Sequence, residues 1–286
     1  MGRVLSPDSA QGRAAEFSLS DAEFRFICSL VYSSTGIVLD ERKREMVYRR
    51  LMRRLRETKL PTFSAYCDLL KNDEQELPAF INSITTNLTS FFRENHHFEY
   101  LKNHILPRLL QQNRNRRIRL WSAACSTGEE PYSIAMCLRE TLAEQLSSWD
   151  IKILATDLDT ECIAKAKEGI YRQDNIKDIT PERQKRWFMK GRSADSNFVK
   201  IKPELAEIIT FKKLNLLDDW PMQGPFDVIF CRNVLIYFDR QTQAELIDRY
   251  HNLLSPGGHL MLGHSESLPQ KYTGFEVKGR TIFCKM

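Results

Sequence analysis

The sequence predicts an α/β protein: a mostly parallel sheet with an antiparallel edge, preceded by an all-helical region and interrupted by a small β insertion. Two observations predict this. After Asn113, short apolar runs of strand length alternate with amphipathic helical stretches, the pattern of a parallel sheet with helical crossovers. Before it, residues 19–110 repeat apolar positions at helical spacing and show no strand signal. The expected division is a disordered lead-in at 1–18, a helical domain at 19–100 and a sheet domain at 101–286, with the insertion at about 169–212.

Each element follows from local pattern. Asp21 is placed to cap a helix bearing Phe24, Ile27, Cys28 and Val31. In 40–57, Val47, Leu51 and Leu55 recur at i, i+4, i+8, and Leu60-Pro61 ends that helix. Further helices are expected at about 62–71 and 75–86. IRLWS (118–122) reads as a strand, then small residues lead into a helix at about 129–145. IKILAT (151–156) is a buried strand followed by a helix near 160–168. A short helix at about 181–190 has Thr180 as cap and Pro181 at its first position. FVKIK (198–202) and IITFKK (208–213) read as pieces of an antiparallel excursion around it. FDVIFCRN (226–233) is a strand, a helix spans about 240–254, SPGG stops it, and HLMLGH (259–264) is a strand. FEVKGRTIFCKM reads as a terminal hairpin turning at or near Lys278-Gly279.

Bulk properties narrow the function classes. Hydrophobic residues make up 42% and charged residues 28%, an ordinary globular balance. No apolar run approaches the ~18 residues that span a bilayer, and the polar start MGRVLSPDSAQGRAAE lacks a signal-peptide apolar core. Seven cysteines, an odd number with no C-x-x-C, point to a reduced, cytoplasmic setting. No H-E-x-x-H or Cys/His ligand spacing occurs; His96 and His97 are adjacent and are expected on different sides of a helix, so no metal is expected. The net charge is only +5, yet residues 41–59 hold nine Lys/Arg against three Glu. Arg42, Arg49, Arg53 and Arg56 project roughly opposite the apolar stripe of their helix, a basic face for an acidic partner or a solvated surface.

The residues able to carry chemistry gather where strands end. WSAACSTGEEPYSIA (121–135) runs from a strand through a tight small-residue loop into a helix, where open α/β sheets bind nucleotide-like ligands. G-x-G-x-x-G is absent, which disfavours a dinucleotide pyrophosphate; Ala123 and Ala124 leave room for a ligand without phosphates. Ser126-x-x-Glu129 also reads as a capping box. Asp157 ends the second strand, placed to accept both hydroxyls of a ribose, while Asp159 is the better helix cap. LNLLD (214–218) follows, and FDVIFCRNVLIYF delivers Arg232, Asn233 and Tyr237 at a strand's carboxyl end. In INSITTNLTSFFRENHHF (81–98), Asn87, Thr89 and Ser90 can cap a helix, and Arg93 reads as a surface arginine.

TTNLTSFFRENHHF, WSAACSTGEEPYSIA, ATDLD, NLLD, GPFDVIFCRNVLIYFD and GHSES, in that order, resemble the chemotaxis receptor glutamate methyltransferases, the CheR family. The resemblance covers about residues 20–284. It implies a class I S-adenosylmethionine methyltransferase domain with an inserted β-subdomain, behind an N-terminal helical domain. It implies transfer of methyl groups to receptor glutamates, forming methyl esters in sensory adaptation, with S-adenosylhomocysteine as product and no metal. By position it implies a cofactor site at Asn87, Thr89, Arg93, Glu129, Asp157, Asn215, Leu216, Arg232 and Asn233, with Ala123 lining the loop and Tyr237 near the reacting methyl. Tyr237 with Arg93 or Arg232 would orient the attacking carboxylate. The partner would be the Glu-rich cytoplasmic helices of receptors, docked on Arg42, Arg49, Arg53 and Arg56 and placing the enzyme at receptor arrays, with neither nucleic acid nor membrane insertion. One departure stands out: GRS (191–193) replaces the Gly-x-Gly loop of members that dock a receptor pentapeptide. Two other classes share parts of the pattern. A nucleic-acid methyltransferase would show aromatic platforms among the basic residues, and a cofactor-binding adapter would not need Tyr237.

Overall fold

The computed structural model describes residues 17–190, 197–269 and 272–286. These fall into two compact units, one of residues 17–30 and 40–84, the other of 31–39 and 85–286. Residues 1–16, most of the expected lead-in, and the GRS stretch lie outside the described residues.

The first unit is helical, as expected. Helix α1 (Asp21–Thr35) is capped by Ser20 rather than Asp21: Ser20 N–H donates to Glu23 Oε2 at 2.7 Å, and Ser20 Oγ accepts Glu23 N–H at 3.3 Å. A reciprocal capping box satisfies two orphan amides, so it outcompetes a lone aspartate. Helix α2 (Arg44–Thr58) buries Val47, Leu51 and Leu55 completely and ends at Lys59, whose positive φ lets Leu60 N–H reach Leu55 O at 3.0 Å. Thr62 caps α3 (Phe63–Asn72) through Ala65 N–H, and α4 (Leu77–Ile84) closes the unit. Arg54 and the Tyr66 hydroxyl share Glu76, each at 2.7 Å, tying α2 to α3.

The second unit begins earlier in sequence than residue 100. Thr85 and Asn87 bond Asp159, and Phe98 stacks on Phe230, so the 85–100 segment packs with the sheet. Helix α5 (His96–Tyr100) continues through a π-turn at Leu101–Ile105 into α6 (Leu106–Gln112). Then come β1 (Arg117–Ser122), α7 (Glu129–Leu142), β2 (Asp150–Asp157), α8 (Thr160–Glu168), β3 (Ile170–Arg172), α9 (Pro181–Trp187), β4 (Phe188–Lys190), β5 (Phe198–Ile201), α10 (Pro203–Ala206), β6 (Ile209–Lys213), β7 (Phe226–Cys231), α11 (Arg240–Leu253), β8 (Leu254–Leu262), β9 (Phe275–Gly279) and β10 (Ile282–Lys285).

The main sheet has order β6-β2-β1-β7-β8-β10-β9, parallel except for the terminal hairpin. Period-two alternation builds a core on each face. Leu120, Val228, Phe230 and Met261 enter one cluster, and Trp121, Ile229, Leu260 and Leu262 enter the other. Three expectations are corrected here. The stretch 208–213 is not part of the antiparallel excursion: β6 pairs parallel with β2, Ile153 opposite Ile209, as the edge of the main sheet. The excursion is the three-stranded sheet β3-β5-β4, so its strands span 170–201. Residues 188–190, read as the end of a helix, form β4, because Phe188 pairs with Ile201. The SPGG stretch lies inside β8, where the register shifts between Phe226 and Val228, instead of stopping the helix ahead of a later strand. Asp159 caps α8 as expected, accepting Glu161 and Cys162 N–H at 2.9 and 3.1 Å. All seven cysteines are free.

Candidate active site

The sheet order changes direction at β1, whose helical crossover leads to β2 on one side while β7 lies on the other. Ligands of open α/β sheets bind beyond the carboxyl ends of the strands at such a point. The loop after β1, Asp157 at the end of β2, Asn215 after β6, Arg232 and Asn233 after β7, and Gly263 after β8 all lie at those ends.

The loop from β1 to α7 is held by its neighbours. Ala123 N–H donates to Phe230 O at 2.8 Å and Cys125 N–H to Thr156 O at 2.9 Å. The expected capping box is absent. Gly128 is the N-cap with φ 99° and no side-chain bond, and Ser126 has turned away. Its N–H donates to Asp157 Oδ2 at 2.7 Å and its hydroxyl to Asn87 O at 2.9 Å. Those tertiary partners outweigh the local cap. Positive φ at Phe92, Glu94, Ser126 and Asn233 concentrates uncommon backbone around these loops, as functional sites often do.

Two acidic groups in this loop region have no basic partner among the described residues. Glu129 is 4% exposed, and the hydroxyl of Thr127 donates to its Oε2 at 2.7 Å. Asp157 is 7% exposed and accepts N–H from Ser126 and Asp159. Burial pushes both carboxyls up, Asp157 to about 6. A buried carboxylate without a counter-charge is costly. An amino cation and a pair of hydroxyls would satisfy these two, since a carboxylate offers about four acceptor positions. That donor set fits the amino-acid and ribose parts of S-adenosylmethionine.

A second group forms around Arg232, which has 2% side-chain exposure. Its Nη1 is 2.8 Å from Glu130, itself bonded by Ser122 Oγ at 2.7 Å. Its Nη2 donates to the backbone carbonyl of Arg93 and lies 3.4 Å from Glu94. Burial alone would raise the Glu94 carboxyl, yet the hydrogen bond from His264, 2.9 Å away, and the Arg232 charge hold it at about 2. Both Nη atoms of Arg232 are therefore engaged by the protein, while its buried Nε has no partner among the described residues. Arg93 differs: the partner of its guanidinium is a carbonyl, Leu88 O at 2.8 Å.

The other expected residues are placed as follows. Ala123 lines the loop and is buried. Asn87 donates to Asp159 Oδ2 at 2.7 Å, fastening the 85–95 segment, with Thr89 half-buried beyond it. Asn215 donates to Ser34 O at 3.0 Å, and the buried Leu216 gives its carbonyl to Trp220 and Arg249. Asn233 Nδ2 is 3.3 Å from Glu94. Tyr237 ends a short 3-10 turn, Leu235–Tyr237, and its carbonyl accepts Val38 N–H at 2.9 Å. Arg42, Arg49, Arg53 and Arg56 belong to the other unit. Glu94, Glu130 and Glu266 received no role from the sequence, although ENHHF and GHSES contain two of them.

His96 and His97 do not point apart. Their ring centroids are 4.0 Å apart, because both reach the β9–β10 turn, at Arg280 O (3.2 Å) and Thr281 Oγ1 (3.1 Å). With Glu94 they bring one potential ligand atom each within 4.8 Å of the others. Arg232 already stands against the same carboxylate. Burial and that charge push His97 down to about 3.

The open α/β sheet agrees with the family comparisons, which define an S-adenosylmethionine-dependent methyltransferase. Residues 87–284 match the family described as CheR methyltransferase, SAM binding domain, and residues 22–85 the CheR methyltransferase, all-alpha domain. The chain is 48% identical to the chemotaxis protein methyltransferase of Escherichia coli (strain K12), over 93% of this chain and 92% of that one. It is 45% identical to the Salmonella typhimurium protein of that name, over 93% and 91%, and 41% identical to chemotaxis protein methyltransferase 2 of Pseudomonas aeruginosa, over 94% of each. The chain belongs to the CheR methyltransferase family. No helix among the described residues is long and apolar enough to cross a membrane.

Proposed function

We propose that this chain methylates glutamate side chains of chemotaxis receptors, forming methyl esters in sensory adaptation. The observation that carries the reading is the contrast between Arg93 and Arg232, set beside two buried carboxylates that have no cationic partner among the described residues. When bound, S-adenosylmethionine supplies a methyl group on a sulfonium that departs as a neutral thioether. Glu129 is assigned to its amino group and Asp157 to its ribose hydroxyls. Asn87, Thr89, Ala123, Asn215, Leu216, Arg232 and Asn233 complete the surround. Several act through the loops they hold, since Asn87, Asn215 and the Nη atoms of Arg232 donate to protein acceptors.

The attacking group is a glutamate carboxylate, ionised at neutral pH because its ordinary pKa is ~4.3, so no general base is required. Alignment and partial desolvation are the chain's contribution. Arg93 is the arginine for this task, since among the described residues its guanidinium bonds a carbonyl and no carboxylate, and Tyr237 is the second orienting group.

The receptor helix is assigned to the basic face of α2 together with Arg42, which the structure places not on that helix but in the 3-10 turn Glu41–Lys43 before it. Arg42, Arg49 and Arg53 pair locally with Asp40, Glu45 and Glu57, but they are 90, 74 and 73% exposed. Exposed pairs contribute about 0–1 kcal/mol, so an incoming acidic helix can replace them, with Arg56 extending the face. The test is incubation with methyl-labelled cofactor and either receptor or RNA. Base-labile label on the receptor is expected. Label on RNA, or none on either, refutes the reading.

A further inference from the structure

The last parallel strand, β8, leads into GHSES, whose glutamate accepts four backbone amides at the sheet tips. Glu266 is 6% exposed. Its two oxygens accept backbone N–H from Gly263 (2.6 Å), Val234 (2.7 Å), Asn233 (2.9 Å) and Ile236 (3.4 Å). The 263–266 turn is closed in return by Glu266 N–H to Gly263 O at 2.9 Å. Gly263 completes the contact: a Cβ there would stand 2.4 Å from Asn233 Nδ2 and 2.7 Å from Asn233 N. Asn233 has φ 59°, a conformation disfavoured for a side-chain-bearing residue. The turn after β7 is thus bent and pressed against a bare backbone. Its amides cannot pair with one another and instead converge on one carboxylate.

We propose that Glu266 is a positioning residue for methyl transfer, clamping the Asn233–Tyr237 turn so that Tyr237 is held at the reacting carboxylate. A buried anion receiving several amide bonds is a strong, directional anchor. It acts at Val234 and Ile236, and the 3-10 turn Leu235–Tyr237 passes that restraint to the tyrosine. Glutamine would put an NH2 donor against N–H donors on one side, whereas aspartate keeps the charge and shortens the reach. The proposal rests on the role given above to Tyr237.

The test combines Glu266→Gln, Glu266→Asp and Tyr237→Phe in the full chain. Hydrogen exchange of the Val234 and Ile236 amides should accelerate at least about tenfold in Glu266→Gln, as a lost hydrogen bond to a charged group implies. Receptor methylation should lose kcat about tenfold or more, with S-adenosylhomocysteine affinity, read by calorimetry, changed less than kcat. Glu266→Asp should fall between wild type and Glu266→Gln at a melting temperature near that of wild type, and it carries the test if the glutamine variant does not fold. Tyr237→Phe added to Glu266→Gln should cost less than the same change in wild type, because the hydroxyl is already misplaced. Unchanged amide exchange, or independent multiplication of the two losses, overturns the clamp. A Tyr237→Phe enzyme with full activity in the wild-type background overturns the tyrosine's role instead, which separates the two failures.

Discussion

The arginines of α2 and the arginine at the end of β7 carry the same charge on opposite terms. Arg49 and Arg53 stand in water, each beside a glutamate one helical turn away on its own helix. Arg232 has almost no exposure and joins the β1–α7 region, through Glu130, to the 85–95 segment, through Glu94 and the Arg93 carbonyl. Water and salt screen the first kind, so it can be exchanged for another partner; the second is a joint whose loss strands two carboxylates. Charge available for exchange and charge used for construction are therefore told apart by burial, since residue type is identical.

The contrast breaks most visibly at Arg232. Arg232→Ala leaves Glu130 and Glu94 without their cation, which typically costs ~3–5 kcal/mol. Thermal unfolding should show a fall on the order of 10 °C for a chain of this size. A change of a degree or two would place Arg232 with the exchangeable group. Next in size is the cofactor side. Asp157→Ala should weaken S-adenosylhomocysteine binding about ten- to a hundredfold, and calorimetry showing wild-type affinity would remove Asp157 from the site. Its pH dependence has a definite sign. The free carboxyl has been pushed up to about 6 by burial, and hydroxyl donors favour the ionised form. Affinity should be flat above about pH 6 and decline as pH falls through it, and binding in that lower range should release protons into the buffer.

Tyr237→Phe should lower kcat about tenfold, the equivalent of one hydrogen bond to a charged group, with little change in cofactor affinity. Equal turnover in the two enzymes would leave Tyr237 as packing. The smallest intrinsic effect belongs to α2. Arg49→Glu with Arg53→Glu places like charges at i, i+4 beside Glu45 and Glu57, a stability cost of about 0.2–0.5 kcal/mol per pair. Melting temperature and cofactor affinity should barely move, while the apparent KM for receptor rises. Added salt should reproduce that rise in the wild type, because exposed charges are screened beyond about 8–10 Å. Normal methylation by the double variant at low salt would make this face solvated surface and send the search for the receptor contact to the β3-β5-β4 sheet.

Much of this was legible in the residues because it is local. The stretch 150–168 shows a strand, an aspartate cap and a helix in order, and each signal is complete within a few residues. The apolar stripe of α2 and the strand ending in Arg232 and Asn233 are read the same way. What the chain could not show locally is which partner wins. Ser126 matches a capping box, yet its hydroxyl goes to Asn87 and its amide to Asp157, both far away in sequence. IITFKK has strand character, but only its register beside β2 decides that it closes the main sheet. Adjacent histidines were expected apart until the β9–β10 turn supplied an acceptor for each. The sequence alone determined the principal strands and helices, the family and the set of polar residues at the strand ends, since those depend on periodicity and residue type. Tertiary structure decided that Arg232 is drawn to Glu130 and Glu94 while Arg93 bonds a backbone carbonyl, and that Glu266 gathers the amides after β7, because burial and convergence exist only once distant strands lie side by side.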